Sequence, residues 1–263
     1  GNAVFGLYSL GDDFGFSDFA GSGIVHMAGA AAALAGVLLL GARKGKYTED
    51  GRVVPIPGAN LPLATLGTFI LWMGWFGFNG GSQLAMGTVS DVADVSRIFA
   101  NTNAAAAGGS LVALVLTQLM YGKVDLTMVL NGALAGLVSI TAGPLDPSLF
   151  GALLIGAVGG GIAVVVVPML DKLKIDDVVG AIPVHLVAGF WGTMIVPWNS
   201  ADTSYVTQFV GFASIGIFMF VVSLVIWLIL KAVMGIRVSE EAEINGLDVS
   251  EMGMEAYPEF AKG

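Results

Sequence analysis

Two histidines are the only imidazoles in this 263-residue chain, and each follows an aspartate at the same distance. DFAGSGIVHMAG begins at Asp18 and carries His26, whereas DVVGAIPVHLVAG begins at Asp177 and carries His185. Imidazoles in apolar surroundings favour the neutral form, in which one ring nitrogen donates a hydrogen bond and the other accepts one. The two side chains could therefore bind each other and a small polar molecule.

Other chemistries find little support in the residue types present. Without cysteine, the chain has no thiol nucleophile, disulfide or thiolate metal site, and two histidines without a nearby acidic ligand make a weak zinc site. No GxSxG-type elbow supports serine-hydrolase chemistry. We expect no metal, no cofactor and no enzymatic activity. Two alternatives stay open: histidines that only form hydrogen bonds within a core, and an intramembrane enzyme that uses them as base or ligands.

The composition places the chain in a lipid bilayer. Its mean hydropathy is +0.83, and 56% of its residues are hydrophobic against 12% charged, values outside the usual range of soluble domains. The formal net charge of -9 argues against a nucleic-acid partner. We therefore expect an all-α membrane protein.

Seven stretches are apolar and long enough to be transmembrane helices. Ten of the 11 Lys and Arg residues fall in loops on one side of these spans, and only Arg97 falls on the other. Because basic loops favour the cytoplasm, we expect an external N-terminus and a cytoplasmic C-terminus. The predicted spans are residues 19–42, 61–84, 98–121, 126–142, 148–170, 178–198 and 207–233.

The two histidine motifs lie in spans that run in opposite directions. Asp18 precedes a span that enters from outside, and Asp177 precedes one that enters from the cytoplasm. Such a pattern is typical of an inverted-topology repeat. Eight residues of helix cover about 12 Å of a hydrocarbon core about 30 Å thick. We expect both imidazoles near the midplane, within hydrogen-bonding reach of each other.

A second informative stretch, FILWMGWFGFNGGSQL, gathers aromatic residues at the outer end of its span. An aromatic belt at the membrane interface would explain it. The alternative is a vestibule for a cation, in which aromatic faces attract the charge and a hydroxyl accepts a hydrogen bond. The residues concerned are Trp72, Trp75, Phe76 and Phe78, followed by Asn79 and Ser82.

Six blocks of the sequence closely resemble the ammonium transporter (Amt/Mep/Rh) family, in family order. They are DFAGSGIVHMAG, LPLATLGTFILWMGWFGFNGGSQL, NTNAAAAGG, GALAGLVSITAG, DDVVGAIPVHLVAGFWG and NGLDVSEMGMEAYPEF. By this resemblance His26 and His185 match the twin pore histidines, Phe78 one ring of the phenylalanine gate, and Ser82 the hydroxyl of the outer recruitment site. The implied pore or substrate-binding residues are His26, His185, Phe78, Ser82, Trp75, Leu71 and Thr141, with Asp18 as structural support of the recruitment site.

The resemblance also implies an architecture. Members of the family have eleven spans in an inverted-repeat fold, and the seven predicted here resemble the fifth to the eleventh. Residues 1–234 then form an N-terminally truncated transmembrane domain, and residues 235–263 a cytoplasmic regulatory tail. The opening GNAVFGLYSLGD departs from the family pattern, which has a recruitment-site tryptophan in this region.

The function implied by the resemblance is ammonium transport across the cell membrane. Ammonium would lose its proton near the outer aromatic gate and cross as ammonia past the histidines. The implied assembly is a homotrimer in the lipid bilayer, with a PII-type regulatory protein as a partner at the tail. The alternative is an ammonium sensor that carries little flux.

Overall fold

The computed structural model describes residues 15–258, and the regular structure of that part is helical. One isolated antiparallel bridge joins Tyr47 and Val53 in the loop after the first helix. The divergent opening GNAVFGLYSLGD and the end of the predicted tail, residues 259–263, lie outside the described residues. The predicted all-α class is confirmed.

All seven predicted spans contain helix, and we number these helices α1 to α7. Five of them, α1, α2, α3, α5 and α7, are long and apolar enough to cross a membrane. α4 is a shorter apolar helix, and α6 is interrupted before its last turn. The bounds are α1 Ser22–Leu40, α2 Leu61–Gly81, α3 Val89–Tyr121, α4 Leu126–Ile140, α5 Leu149–Lys172, α6 Ile182–Val187 continued by Ala188–Met194 and Val196–Asn199, and α7 Tyr205–Val233, followed by the tail helices α8 Glu240–Asn245 and α9 Leu247–Met252.

Two helices begin at places that hydropathy does not mark. α3 starts at Val89, well before the predicted residue 98, because Thr88 and Asp91 form a reciprocal capping box that satisfies N–H groups at the helix start. That first part of the helix is polar, so a search for apolar stretches passes over it. α6 starts at Ile182, after a loop in which Gly180 adopts a positive φ of 79°.

The packed centre of the chain is formed by α3, α4 and α5, which approach one another at glycines. A Cβ at Gly109 of α3 would lie 2.1 Å from the carbonyl oxygen of Gly132 in α4, and one at Gly156 of α5 would lie 1.9 Å from that of Ala105. Helix backbones in membranes pack this closely only where side chains are small. The small-residue stretches of the sequence therefore set the spacing of this three-helix core.

The histidine helices α1 and α6 join this core as an antiparallel pair. The first turn of each packs on the later part of the other. α1 also packs along α7, where Met27, Ala28 and Ala31 form a buried cluster with Ile215. The two histidines are thereby brought to the crossing of α1 and α6.

The basic loop after α1 and the start of the tail lie on the same face of the molecule. Arg43 forms an ion pair with Asp176, which precedes α6, and Arg237 of the tail binds both Glu243 and the carbonyl oxygen of Leu40. The predicted common face of this loop and the tail is therefore confirmed. The hydrogen-bonded Arg43 guanidinium holds the pKa of the Asp176 carboxyl below its usual range.

Candidate functional site: a histidine pair between antiparallel helices

The two histidine rings are in direct contact. Nδ1 of His185 lies 3.2 Å from Nδ1 of His26, a hydrogen-bonding distance. The ring centroids are 5.2 Å apart and the ring planes are inclined by 21°. One Nδ1 must donate and the other accept, so the pair holds one shared proton in this contact. The expected proximity of the two rings is confirmed; their part in transport remains a prediction.

Both histidines lie in π-helical turns, Ser22–Met27 in α1 and Ile182–Val187 in α6. The His26 N–H donates to the carbonyl oxygen of Gly21 at 3.0 Å, and the Ala188 N–H donates to that of Pro183, each five residues back. Turns of this kind are rare and occur often at functional sites. Their repetition in α1 and α6 is the structural form of the repeated sequence motif.

An aromatic wall covers His26 on the α2 side. The Trp75 ring stacks on His26 with centroids 4.8 Å apart and planes inclined by 13°. The Phe78 ring follows at 5.5 Å from His26 and 5.8 Å from Trp75. The buried Thr141 hydroxyl accepts a hydrogen bond from Nε1 of Trp75 at 2.9 Å. Thr141 thus belongs to the site by holding the indole in place.

Two buried polar atoms near this wall have no hydrogen-bond partner among the described residues: Nε2 of His26 and Oδ1 of Asn79. Asn79 is anchored at its other end, since its Nδ2 donates to the hydroxyl of Thr102 at 3.0 Å. Buried polar atoms in proteins are nearly always satisfied by protein or by a small polar molecule. Each of these atoms therefore has the capacity to bind a small polar molecule.

The other predicted residues lie at the margin of the cluster. Ser82 follows α2, and its hydroxyl donates to the carbonyl oxygen of Phe78 at 2.8 Å, which leaves its oxygen lone pairs able to accept. Leu71 lies one turn before Trp75 and is 53% exposed, so the described residues do not enclose it. The carboxylate of Asp18 accepts three backbone N–H bonds of 2.8 Å at the start of α1, which agrees with a supporting position.

A cavity of about 420 Å³ opens on the face that carries the basic loop. Its wall includes Thr68 of α2, Asn131 of α4 and Asp177 of the loop before α6. It extends to Pro183, in the π-helical turn of His185, although neither histidine lines it. The cavity therefore reaches the turn of α6 that carries His185.

Some residues of this site escaped the sequence analysis. Thr102 holds Asn79, and Asp177 caps the α6 turn, yet neither was predicted as a site residue. For Asp177 a signal existed, because it occupies the place of Asp18 in the repeated motif. For Thr102 the only signal is a polar residue within a small-residue stretch, which by itself indicates packing.

Fold and site together define a multi-pass, all-α membrane protein with a histidine pair at the crossing of two antiparallel helices. The profile of the Ammonium Transporter Family matches residues 3–257. The chain belongs to this family.

Two curated relatives show how much of a family member the chain represents. Ammonium transporter Amt2 of Archaeoglobus fulgidus is 44% identical over an alignment 279 residues long, gaps included, which covers 97% of this chain and 58% of the relative. Ammonium transporter Amt1 of Haloferax mediterranei is 39% identical over 261 residues, which cover 94% and 50%. The chain therefore spans about half the length of these relatives.

Solved structures share its arrangement of helices. A protein named Sensor Amt Protein superposes with a TM-score of 0.86 at 37% identity, covering 91% of this chain and 61% of that one. Mep2 of Candida albicans superposes with a TM-score of 0.79 at 30% identity, covering 94% and 59%. The helix arrangement described above is thus that of membrane proteins of this family.

Proposed function

We propose that the chain forms part of a pathway for ammonium and ammonia across the membrane. The observation that carries this proposal is the 3.2 Å contact between the Nδ1 atoms of His26 and His185 in apolar surroundings. Relatives named as ammonium transporters support the substrate. The two histidines of this chain are the imidazoles that could form hydrogen bonds with a small polar molecule passing between α1 and α6.

The physical reason for moving ammonia is the cost of charge in hydrocarbon. An intact cation would lose its hydration in a core about 30 Å thick, at a cost of several kcal/mol. Neutral ammonia avoids most of this cost and can form hydrogen bonds with imidazole nitrogens. Nε2 of His26, which has no partner within the described residues, is suited to such a bond. Potassium cannot release its charge and is therefore excluded.

The outer end of the pathway lies at the aromatic wall. Indole and phenyl faces attract cations, and Trp75 and Phe78 stand beside His26. The Ser82 hydroxyl, one turn beyond Phe78, can accept a hydrogen bond from ammonium. We place the loss of the proton between this hydroxyl and the histidine pair, and the inner exit at the cavity that reaches Pro183.

The wider setting belongs to the same proposal. We place the protein in the cell membrane with its C-terminus in the cytoplasm, because ten of the 11 basic residues then face the cytoplasm. The family resemblance supports a homotrimer and a PII-type protein at the tail. Helices α8 and α9 leave Ile244, Leu247 and Met252 exposed, which gives the tail apolar surface for a partner.

Current measurements test the proposal. The protein in the full length encoded by its gene is reconstituted into liposomes on a supported membrane and exposed to a jump in ammonium concentration. We expect a transient current that saturates with ammonium and that falls at least tenfold in Phe78→Ala with Ser82→Ala. Reconstituted protein that gives no more current than empty liposomes would contradict transport.

A sensor is the second candidate, and it has a specific observation in its favour. The protein named Sensor Amt Protein superposes with a TM-score of 0.86. In this chain Arg237 joins the tail to the carbonyl oxygen of Leu40, the last residue of α1, which is the helix that carries His26. A sensor would bind ammonium with saturation and release or rearrange the tail while its current stays at the level of empty liposomes.

A further inference from the structure

Asp177 is the counterpart in α6 of Asp18 in α1. Each stands three residues before a glycine in the left-handed region, Gly180 at φ 79° and Gly21 at φ 118°. Each also stands eight residues before a histidine. The Asp-x-x-Gly element is thus repeated together with the imidazole, once in each direction through the membrane.

The Asp177 carboxylate caps the start of α6. It accepts hydrogen bonds from the backbone N–H groups of Ala181 at 3.0 Å and Ile182 at 2.6 Å. N–H groups at a helix start have no partner within the helix. Because Ile182 opens the π-helical turn, the cap sets the register in which that turn begins.

The register of this turn decides where His185 points. A change from a π-helical to an α-helical turn shifts the following side chains by one residue, which is about 100° around the helix axis. The Nδ1 atoms of the two histidines are already 3.2 Å apart, so a displacement of about 1 Å would break their hydrogen bond. Contact between the rings therefore depends on the first turn of α6.

We infer that Asp177 is a positioning residue for His185: by capping Ala181 and Ile182 it keeps the π-helical turn that aims the imidazole at His26. The inference deepens the proposed transport function and rests on it for its effect on flux. The described hydrogen bonds of Asp177 go to the backbone of α6 and not to the histidine rings, although its side chain also lies in the wall of the cavity proposed as the inner exit. Its effect is transmitted through the backbone of α6.

An ordinary helix cap is the competing explanation, and the chain offers a matched control. Asp125 caps α4 by accepting hydrogen bonds from Thr127 N–H at 2.8 Å and Met128 N–H at 3.2 Å. It makes two backbone bonds, as Asp177 does, but α4 carries no histidine. Loss of either cap should lower the thermal midpoint to a similar extent.

The test compares Asp177→Ala, Asp177→Asn and Asp125→Ala in the full-length protein. Three quantities are measured: the thermal midpoint in detergent, the currents under ammonium and under potassium, and the ¹⁵N chemical shifts of the imidazoles in histidine-labelled protein. The variants His26→Ala and His185→Ala assign each imidazole signal to its residue. We expect Asp177→Ala to lose the ¹⁵N signals of the hydrogen-bonded Nδ1 atoms. Its ammonium current should fall at least tenfold. Asp177→Asn, with one carbonyl oxygen left as an acceptor, should fall between it and wild type.

The outcomes separate positioning from simple capping. Asp125→Ala is expected to lower the thermal midpoint while currents and imidazole signals stay at wild-type values. Wild-type imidazole signals in Asp177→Ala would overturn the inference whatever its currents, because Asp177 also lines the proposed exit. Equal losses of the imidazole signals in Asp125→Ala would overturn it as well. If Asp177→Ala does not assemble, Asp177→Asn decides in the same way. Absence of current in wild type would defeat the transport proposal alone, because the imidazole signals still test positioning.

Discussion

At the residue scale, the site depends on side chains that hold one another in place. His26 is stacked on Trp75, which is bonded to Thr141, and it meets His185 through one Nδ1–Nδ1 contact. Sequence alone predicts that the two imidazoles meet, because the motif is repeated in opposite spans. It does not predict the Trp75–Thr141 bond, since α2 and α4 are distant in sequence and their facing side chains follow from packing.

Substitutions at the two ends of the Trp75–Thr141 hydrogen bond should differ in their effect on stability. Thr141→Val keeps the side-chain shape but leaves the buried indole N–H without its acceptor, at a cost of about 1–3 kcal/mol. The Thr141 hydroxyl, by contrast, also donates to the carbonyl oxygen of Leu137 at 2.6 Å, so Trp75→Phe leaves no unpaired donor there. In the double variant, the cost of Thr141→Val should shrink because no indole remains.

Thermal unfolding in detergent measures this cycle. The coupling between the two positions is expected to be at least about 0.5 kcal/mol in free energy of unfolding. Strictly additive effects would show that the indole is not held by Thr141. Ser110→Ala serves as a control, because within the described part of the chain that hydroxyl bonds to its own helix, at the carbonyl oxygen of Ala106.

At the element scale, hydropathy locates the helices but not their ends or irregular turns. The span predicted at residues 178–198 is instead a π-helical turn, a short α-helix and a separate last turn with Pro197 near its start. These features come from Asp177, Gly180 and two prolines, whose effects depend on local hydrogen bonding. A count of apolar residues does not detect these features. The repeated Asp-x-x-Gly element is the sequence signal from which the irregular start of α6 could have been predicted.

Neighbouring glycines of α5 provide a matched test of close helix packing. A Cβ at Gly160 would lie 2.2 Å from the carbonyl oxygen of Gly109, whereas one at Gly161 would meet only Val112 at 3.6 Å and Leu116 at 3.7 Å. Gly160→Ala must therefore force α3 and α5 apart. Gly161→Ala should be neutral or stabilising by up to about 1 kcal/mol, because alanine favours helix.

The measurement is the yield of assembled protein and its thermal midpoint. We expect overpacking in Gly160→Ala to lower the free energy of unfolding by about 1–3 kcal/mol or more. Equal midpoints for the two variants would contradict the packing described for α3 and α5.

At the scale of the whole molecule, the basic loop after α1, the loop before α6 and the tail lie on one face. This grouping could be predicted from the distribution of Lys and Arg, because the rule concerns whole loops and not single contacts. The particular partners could not be predicted. Arg43 and Asp176 meet across two loops, and only the helix arrangement brings those loops together.

Removal of Arg43 should destabilise this face. In Arg43→Met the Asp176 side chain, 1% exposed, loses its charged partner at a cost of about 2 kcal/mol. The pKa of Asp176 is lowered in the folded protein, so the stabilisation is present above the unfolded pKa of about 3.9 and is lost as pH falls through the folded pKa. The difference in thermal midpoint between Arg43→Met and wild type should therefore become smaller below about pH 4.

Thermal midpoints at several pH values test this expectation. Arg52→Met is the control, because Arg52 and Asp50 form a solvent-exposed ion pair, and pairs of this kind contribute little to stability. If the thermal midpoint of Arg43→Met lies equally far below that of wild type at pH 7 and at pH 3, the stabilisation does not come from the ion pair.

The side of the membrane on which this face lies is tested separately. Thr48→Cys and Ser250→Cys, in the cysteine-free sequence, should resist an impermeant thiol reagent in intact cells and react after lysis. Labelling of either one in intact cells would reverse the proposed orientation.

The central claim is that His26 and His185 line the pathway and do not merely fill the core. If they only filled space, Leu in both places would cost less than about 1.5 kcal/mol and leave transport intact. The measurement is the current under ammonium and then under potassium, for His26→Ala with His185→Ala and for His26→Leu with His185→Leu, in full-length protein shown to assemble. We predict that ammonium current collapses or that potassium begins to pass. Wild-type current and wild-type discrimination in both double variants would contradict the claim.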